Sequence, residues 1–204
     1  MQASNEHREI AERIYRFIQE NDNFLISAHI NSDGDAIASV LAVRMLLNKL
    51  NKNSVMVFHD QKLDQRFMYL SGFDQIVSYK EKLDISAQIP GGQIENAIIL
   101  DVPGYSRLGD VSGLLPLKDH IVKIDHHPSE DVIGIIDWVD QNASSSTVMV
   151  YEVFEASGIS PDVSMAEAIF TGIIYDTGRF SFSNTTARDL YVCSKMVQIG
   201  VQPS

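Results

Sequence analysis

Short apolar runs alternate with longer amphipathic stretches along most of this chain. The apolar runs end at charged, polar or glycine-containing segments, and they predict buried strands over residues 24–28, 55–58, 97–100 and 121–124, with an edge strand over 133–139. Apolar residues at helical spacing predict helices over residues 6–19, 36–50, 147–156, 163–174 and 187–199, and a short one around 67–70. Strands that alternate with helices predict an α/β fold, in which a mostly parallel sheet has helices on both faces.

The composition is that of one folded domain. The 204 residues are 45% hydrophobic and 21% charged, so we expect residues 1–204 to form a single domain around one core. No apolar run reaches the roughly 18 residues of a membrane span. The N-terminal segment lacks the basic and apolar regions of a secretory signal, and the single cysteine, Cys193, excludes a disulfide framework. These features predict a cytoplasmic protein.

The charge balance narrows the class of ligand. Sixteen basic residues stand against 27 acidic ones, which gives a net charge of −11. Proteins that coat long duplex nucleic acid present a surface of lysine and arginine, so that role is disfavoured. A small phosphate ester is compatible with an acidic chain, provided that bound metal ions supply positive charge at the site.

Imidazole or carboxylate groups follow three of the predicted strands. His29 follows the first strand, Asp101 follows the third, and Asp125, His126 and His127 follow the fourth. Because ligands of an open parallel sheet bind at the carboxyl ends of its strands, we expect these side chains to converge at that edge. Three more aspartates can reach the same edge from the ends of predicted helices: Asp33, Asp35 and Asp176.

Each of these residues also has an ordinary structural explanation. Asp33 or Asp35 can cap the helix that follows, and Asp176 can mark the end of a helix. His126 and His127 can be one core histidine and one surface histidine. As a group, however, the carboxylates would repel each other and take up protons unless cations neutralised them. A mixed set of histidine and aspartate ligands favours Mn²⁺, Co²⁺, Fe²⁺ or Zn²⁺ over Ca²⁺, with Mg²⁺ also compatible.

The order of these motifs resembles the signature of the DHH phosphoesterase superfamily, and the resemblance covers nearly the whole chain from about Phe24 onward. Its motifs are His29-x-x-x-Asp33-x-Asp35, Asp101, Asp125-His126-His127 and Asp176. Within the superfamily, three segments look most like the group of small oligoribonucleases that also dephosphorylate 3′-phosphoadenosine 5′-phosphate. They are residues 29–39 (HINSDGDAIAS), 143–147 (ASSST) and 175–180 (YDTGRF).

The resemblance implies a hydrolytic site with two metal ions. One ion is expected on His29, Asp33 and Asp101, and the other on Asp35, Asp101, His126 and Asp176, so that Asp101 bridges the two. Both ions are expected to be divalent cations, Mn²⁺ first, with Mg²⁺ or Co²⁺ as alternatives.

The resemblance also implies roles around the metals. Asp125 is expected to orient His126, and His127 is expected to contact the substrate as a phosphate ligand or proton donor. Arg107 and Arg179 are candidate phosphate clamps, and a role as ordinary surface arginines stays open. For residues 144–147, helix capping is favoured over substrate contact.

This chain departs from the pattern of the group at three places. Ser32 stands where the group usually has proline, and Ala38 stands where it usually has glycine. Asp101 is followed by Val102-Pro103-Gly104 instead of small and polar residues, so we expect a differently shaped loop. The second, C-terminal domain of the group, with its Gly-Gly-Gly-His motif for substrate binding, is expected to be absent from residues 1–204.

The implied function is that of a metal-dependent phosphoesterase, acting as an oligoribonuclease and exonuclease on short substrates or as a phosphatase on 3′-phosphoadenosine 5′-phosphate. An inorganic pyrophosphatase or polyphosphatase and a cyclic-dinucleotide phosphodiesterase of the same superfamily are the alternatives. A non-catalytic nucleotide-binding module is disfavoured because no ligand of the pattern is missing. The expected partner is a small nucleotide or short oligonucleotide, not a long duplex or a membrane, and a homodimer stays open. His7, His59 and His120 lie outside the motifs and are expected to be structural or surface residues.

Overall fold

The computed structural model describes residues 5–60, 62–81 and 85–203. Within them, the strands are β1 (Phe24–Ser27), β2 (Ser54–Phe58), β3 (Val77–Ser78), β4 (Asn96–Leu100), β5 (Ile121–Asp125) and β6 (Ile136–Val139). The α-helices are α1 (Asn5–Glu20), α2 (Gly34–Lys49), α3 (Ser146–Ser157), α4 (Val163–Asp176) and α5 (Ala187–Ile199). None of these described helices combines the length and the apolar character that crossing a bilayer requires.

The six strands form one parallel sheet in the order β3-β2-β1-β4-β5-β6. The inner strands are apolar almost throughout because both faces of the sheet are covered. Ile26 and Ile98 point into the core that all five α-helices share on one face. Leu25 and Ile99 point into a smaller core on the other face, which is covered mainly by 3₁₀ turns such as Tyr105–Leu114. This confirms the α/β class, with α-helices on one face and 3₁₀ helices on the other.

Most elements begin and end within a few residues of the predicted positions. The predicted edge strand is present, but it is shorter and covers Ile136–Val139. The predicted helix around 67–70 is a single 3₁₀ turn over Gln65–Phe67, followed by further turns. Strand β3 was not predicted, because a strand of two residues is too short to produce a periodic pattern.

The topology creates a crevice between the central strands β1 and β4. From β1 the chain crosses through α2 to β2 on one side, whereas from β4 it passes through residues 105–114 to β5 on the other side. These two connections cover opposite faces of the sheet. Ligands of open parallel sheets bind outside the carboxyl ends of the strands where the strand order reverses in this way. The loops after β1, β4 and β5 therefore meet at one place.

Candidate metal centre

The loop between β1 and α2 carries His29 and Asp33. Asp33 caps α2, since its Oδ1 accepts hydrogen bonds from the backbone N–H of Asp35 at 3.0 Å and of Ala36 at 3.1 Å. The predicted capping role is thus present, and the same carboxylate oxygen lies 3.8 Å from Nε2 of His29. Nδ1 of His29 lies 2.8 Å from the carbonyl oxygen of Ile30, which can only accept. Nδ1 therefore carries a proton, and Nε2 is the nitrogen left to bind a metal.

Asp101 lies between two histidines at the end of β4. It is almost fully buried and adopts a left-handed backbone conformation with φ of +58°, which is uncommon for a residue other than glycine. Its Oδ2 lies 3.3 Å from Nε2 of His29, and its Oδ1 lies 3.4 Å from Nε2 of His126. The two oxygens of one carboxylate thus face two different groups of ligands.

The end of β5 carries Asp125, His126 and His127. Oδ1 of Asp125 accepts hydrogen bonds from the backbone N–H of His127 at 3.2 Å and from its ring Nδ1 at 2.9 Å. Asp125 therefore orients His127, and the expectation that it orients His126 is wrong. The reason is local, because the chain turns directly after the strand and brings the second following residue back over the carboxylate. Nε2 of His126 is buried without a hydrogen-bond partner in the described structure and lies 3.2 Å from Oδ2 of Asp176.

Asp35 is held from the other side by the N-terminus of α3. Its fully buried carboxylate accepts hydrogen bonds from the backbone N–H of Ser146 at 2.6 Å and of Thr147 at 3.0 Å, and from the Thr147 hydroxyl. The helix terminus supplies unpaired N–H groups and a partial positive charge to this anion. Gly172 of α4 makes room for the arrangement, since a Cβ atom there would overlap the Thr147 hydroxyl and lie 3.0 Å from Oδ1 of Asp35.

The structure brings all six predicted metal ligands together. Three groups of donor atoms each lie within 4.8 Å of one another: His29, Asp33 and Asp101; Asp35, His126 and Asp176; and Asp101, His126 and His127. The first group is the first predicted ligand set. The second group contains three of the four residues of the second set, and the fourth residue, Asp101, lies 3.4 Å from Nε2 of His126. The proton on Nδ1 of His29 and the unpartnered Nε2 of His126 both fit metal coordination.

The electrostatics of the cluster also fit cation binding. Burial raises the pKa of Asp35 well above its usual range, and repulsion from Asp101 and Asp176 adds to that effect. Burial opposes protonation of both histidines, but the neighbouring aspartates outweigh it and raise the pKa of His29 to about 10 and that of His126 to about 11. In this cluster, protons balance the carboxylates when no cation does so.

Of the three predicted substrate residues, His127 lies at the cluster, with its Nδ1 3.4 Å from Oδ1 of Asp101. The side chain of His127 is 43% exposed. Arg107 is half-buried, and its carbonyl oxygen accepts a hydrogen bond from Ile30 at 2.7 Å, which places its backbone against the His29 loop. Arg179 follows Asp176 by three residues and is exposed.

The histidines outside the motifs have structural contacts, as predicted. His7 lies 3.5 Å from Asp140, and Nδ1 of His59 accepts a hydrogen bond from the backbone of Asp110 at 3.1 Å. His120 lies 3.2 Å from Oδ1 of Asn96.

Three positioning residues were not identified from the sequence. Ser145 caps α3 as expected, whereas Ser146 and Thr147 hold the carboxylates of the cluster. The Ser146 hydroxyl donates to Oδ1 of Asp101 at 3.0 Å.

Asp60, beyond the end of β2, accepts hydrogen bonds from the backbone N–H of Asn31 at 3.0 Å and of Ser32 at 3.1 Å, and from the Ser32 hydroxyl at 3.0 Å. Proline at position 32 could make neither Ser32 bond. The place of Asp60 after a strand is the signal that could have identified it.

The loop after Asp101 is tied to the loop after β5. The carbonyl oxygen of Pro103 accepts hydrogen bonds from the backbone N–H of Glu130 at 2.9 Å and of Asp131 at 3.2 Å. The fully buried Lys123 lies below, and its Nζ donates to Ser129 at 3.0 Å and to the carbonyl of Asp131 at 2.9 Å. The Val102-Pro103-Gly104 segment thus supports the same edge of the sheet.

Comparisons with known proteins identify a family and several relatives of this chain. A model of the DHH family, N-terminal domain, matches residues 23–173. The bifunctional oligoribonuclease and PAP phosphatase NrnA of Bacillus subtilis is 29% identical over 192 residues, covering 91% of this chain and 56% of that protein. The protein of the same name from Thermus thermophilus is 29% identical over 177 residues, covering 87% of this chain and 50% of that protein. The chain thus spans about half the length of these relatives.

The solved structures agree on the fold. An exopolyphosphatase-related protein from Bacteroides fragilis superposes with a TM-score of 0.86 at 21% identity, covering 96% of this chain and 58% of that one. A putative family II inorganic pyrophosphatase from Methanococcus jannaschii superposes with a TM-score of 0.58 at 17% identity, covering 86% of this chain and 56% of that one. Since the family model matches well over half of the residues, this chain belongs to the DHH family.

Proposed function

We propose that this chain is a metal-dependent phosphoesterase that hydrolyses phosphate esters of short oligonucleotides or of 3′-phosphoadenosine 5′-phosphate. The observation that carries the proposal is the position of Asp101. Its two oxygens face His29 on one side and His126 on the other, at 3.3 and 3.4 Å. A carboxylate between two groups of ligands suits the two-metal chemistry of phosphoryl transfer.

The proposal assigns one divalent cation to His29, Asp33 and Asp101, and a second to Asp35, Asp101, His126 and Asp176. Imidazole combined with carboxylate favours Mn²⁺, with Mg²⁺ or Co²⁺ as alternatives. When bound, two such cations lower the pKa of a shared water and stabilise charge on the attacking and leaving oxygens of the phosphate.

The other residues of the site act on the substrate. Asp125 engages Nδ1 of His127 at 2.9 Å, which leaves Nε2 of this partly exposed ring to contact the phosphate or to donate a proton to the leaving oxygen. Arg179 and Arg107 are proposed to neutralise phosphate oxygens of the substrate.

The proposed substrate class rests on the relatives and on charge. Two relatives carry a name that states oligoribonuclease and PAP phosphatase activity, and the net charge of −11 disfavours a long duplex. Four further features stay predictions: exonuclease action, one catalytic domain over residues 1–204, a cytoplasmic location and a homodimer.

A panel of substrates with and without metal tests the proposal. Purified protein with Mn²⁺ is given a short oligoribonucleotide, 3′-phosphoadenosine 5′-phosphate, a cyclic dinucleotide and inorganic pyrophosphate, and product formation is followed by chromatography. We expect hydrolysis of the first two substrates, its loss with a chelator, and a return to background in Asp101→Asn because both ion sites lose a ligand.

The matched control is Asp119→Asn, which removes one exposed aspartate at the opposite edge of the sheet. This variant is expected to keep full turnover. Undiminished turnover in folded Asp101→Asn, or in the presence of the chelator, would contradict the two-metal proposal. Preferential hydrolysis of pyrophosphate or of the cyclic dinucleotide would keep the chemistry and overturn the proposed substrate class.

A further inference from the structure

A groove of about 780 Å³ runs along the outer side of α4. Its lining includes Arg66, Tyr69, Tyr175, Arg179 and Phe182, together with residues 201–203. Three aromatic rings are presented to solvent, since Tyr69 is 60% exposed, Phe182 59% and Tyr175 37%. The volume lies within the usual range for sites that bind small molecules, and the aromatic lining is typical of them.

The groove begins beside the metal centre. Tyr175 directly precedes Asp176, and its ring packs against Gly34, the residue between Asp33 and Asp35. A Cβ atom at position 34 would overlap that ring, so the close contact depends on glycine. A substrate whose phosphate lies at the cluster can therefore extend past Tyr175 into the groove.

The charged residues that line the groove are two arginines, Arg66 and Arg179, and one glutamate, Glu167. Arg66 is paired with Asp64 at 2.5 Å, whereas the exposed side chain of Arg179 has no ion-pair partner among residues 5–60, 62–81 and 85–203. The backbone around Arg179 is uncommon, because Gly178, Arg179 and Phe180 all have positive φ, at +54°, +57° and +64°. Two successive non-glycine residues in this region are strained, and such strain is concentrated at ligand sites.

We propose that this groove binds the base on the 3′ side of the scissile phosphate of a short oligonucleotide, a refinement that rests on the proposed function. The base stacks on the exposed rings of Tyr69 and Phe182. The guanidinium of Arg179 contacts the scissile phosphate, which adjoins this base. Exposed aromatic faces combined with an unpaired cation match a ligand that is both flat and anionic, which is the recognition mode of single-stranded nucleic acid.

Two matched substrates isolate the contribution of the base. One is a 5′-phosphorylated diadenylate, and the other is the same molecule with an abasic sugar in place of the 3′ nucleoside. Stacking on an aromatic ring contributes about tenfold or more per base. We therefore expect the ratio of kcat/KM for the diadenylate to that for the abasic analogue to fall about tenfold in Tyr69→Ala and in Phe182→Leu.

The choice of variants separates stacking from other effects. Phe182→Leu keeps an apolar side chain but removes the aromatic face, so apolar packing alone predicts no change in the ratio. Tyr69→Phe keeps the ring and loses only the hydroxyl that lies 2.8 Å from Oγ1 of Thr171, so it should keep the ratio. Leu117→Ala removes an exposed apolar side chain outside the groove and is the control. Arg179→Ala should slow both substrates equally, because both carry the phosphate.

The outcomes distinguish failure of the groove from failure of the proposed function. An unchanged ratio in Tyr69→Ala and Phe182→Leu overturns the groove as a base site while leaving the hydrolytic function intact. If neither substrate is hydrolysed by the parent protein, the proposed function fails, and calorimetric binding of adenosine 5′-monophosphate then tests the groove. Weaker binding in Phe182→Leu than in Leu117→Ala supports the groove, and equal binding overturns it.

Discussion

Replacing Glu152 by glutamine is expected to change how the stability of this protein depends on pH. Glu152 lies in α3, where its side chain is only 5% exposed. Its Oε1 lies 2.6 Å from Nη2 of Arg188, and its Oε2 lies 3.6 Å from Nδ1 of His7. Arg188 also donates to Asp140 at 2.9 Å, so one guanidinium serves two carboxylates. The cluster joins α1, α3 and α5, and it lies outside the candidate metal centre.

The structure sets the size and the sign of the effect. Burial raises the pKa of Glu152 from 4.5 to about 7, although Arg188 works against that rise. At about 1.4 kcal/mol for each pKa unit, this displacement corresponds to about 3 kcal/mol. The folded protein holds a proton on Glu152 over the range in which the unfolded chain has already lost it. Stability is therefore greatest below the unfolded pKa of 4.5 and falls as the pH rises through the folded pKa of about 7.

Chemical denaturation at two pH values measures this contribution of Glu152 to the free energy of unfolding. Glu152→Gln cannot titrate, so its free energy of unfolding minus that of the parent protein should increase by about 2.5 kcal/mol between about pH 5 and about pH 8. Titrations of groups that do not contact Glu152 cancel in this difference. The control is Glu9→Gln, an exposed residue of α1 with the same change in charge, whose difference should stay constant. If the Glu152→Gln difference is equally flat, the carboxyl is not held protonated by burial, and the reasoning fails.

Three further predictions concern the candidate metal centre. Gly172→Ala should destabilise the protein by about 1–3 kcal/mol because the added methyl overlaps the Thr147 hydroxyl. This loss is expected despite the higher helix propensity of alanine, and an unchanged thermal midpoint of unfolding would contradict it. Asp60→Ala should weaken Mn²⁺ binding by about 10–100-fold in calorimetry, since three hydrogen bonds to the His29 loop are lost; unchanged affinity excludes that positioning role. His126→Ala should lower the number of bound metal ions, whereas His127→Ala should keep them and lower kcat; metal analysis with the opposite pattern reverses the two assignments.

Residue type and position at the ends of strands and helices were enough to identify the six candidate metal ligands. The aspartates and histidines that follow β1, β4 and β5 converge because parallel strands end at one edge of a sheet. The same rule did not predict which side chain Asp125 contacts, because that depends on the turn taken after the strand. Strand β3 was missed for a similar reason, since its two residues are defined by pairing with β2 and not by a periodic pattern.

The sequence by itself determined most of the elements, their parallel arrangement and the chemistry that their ends carry, because these follow from local periodicity and residue type. Only the tertiary structure decided which residues contact each other over long distances in the chain. Thr147 contacts Asp35 across 112 positions in the chain, and Ser32 contacts Asp60 across 28. The groove on α4 likewise combines Tyr69 with Phe182. Contacts over such separations are selected by the packing of the whole core, which no local pattern encodes.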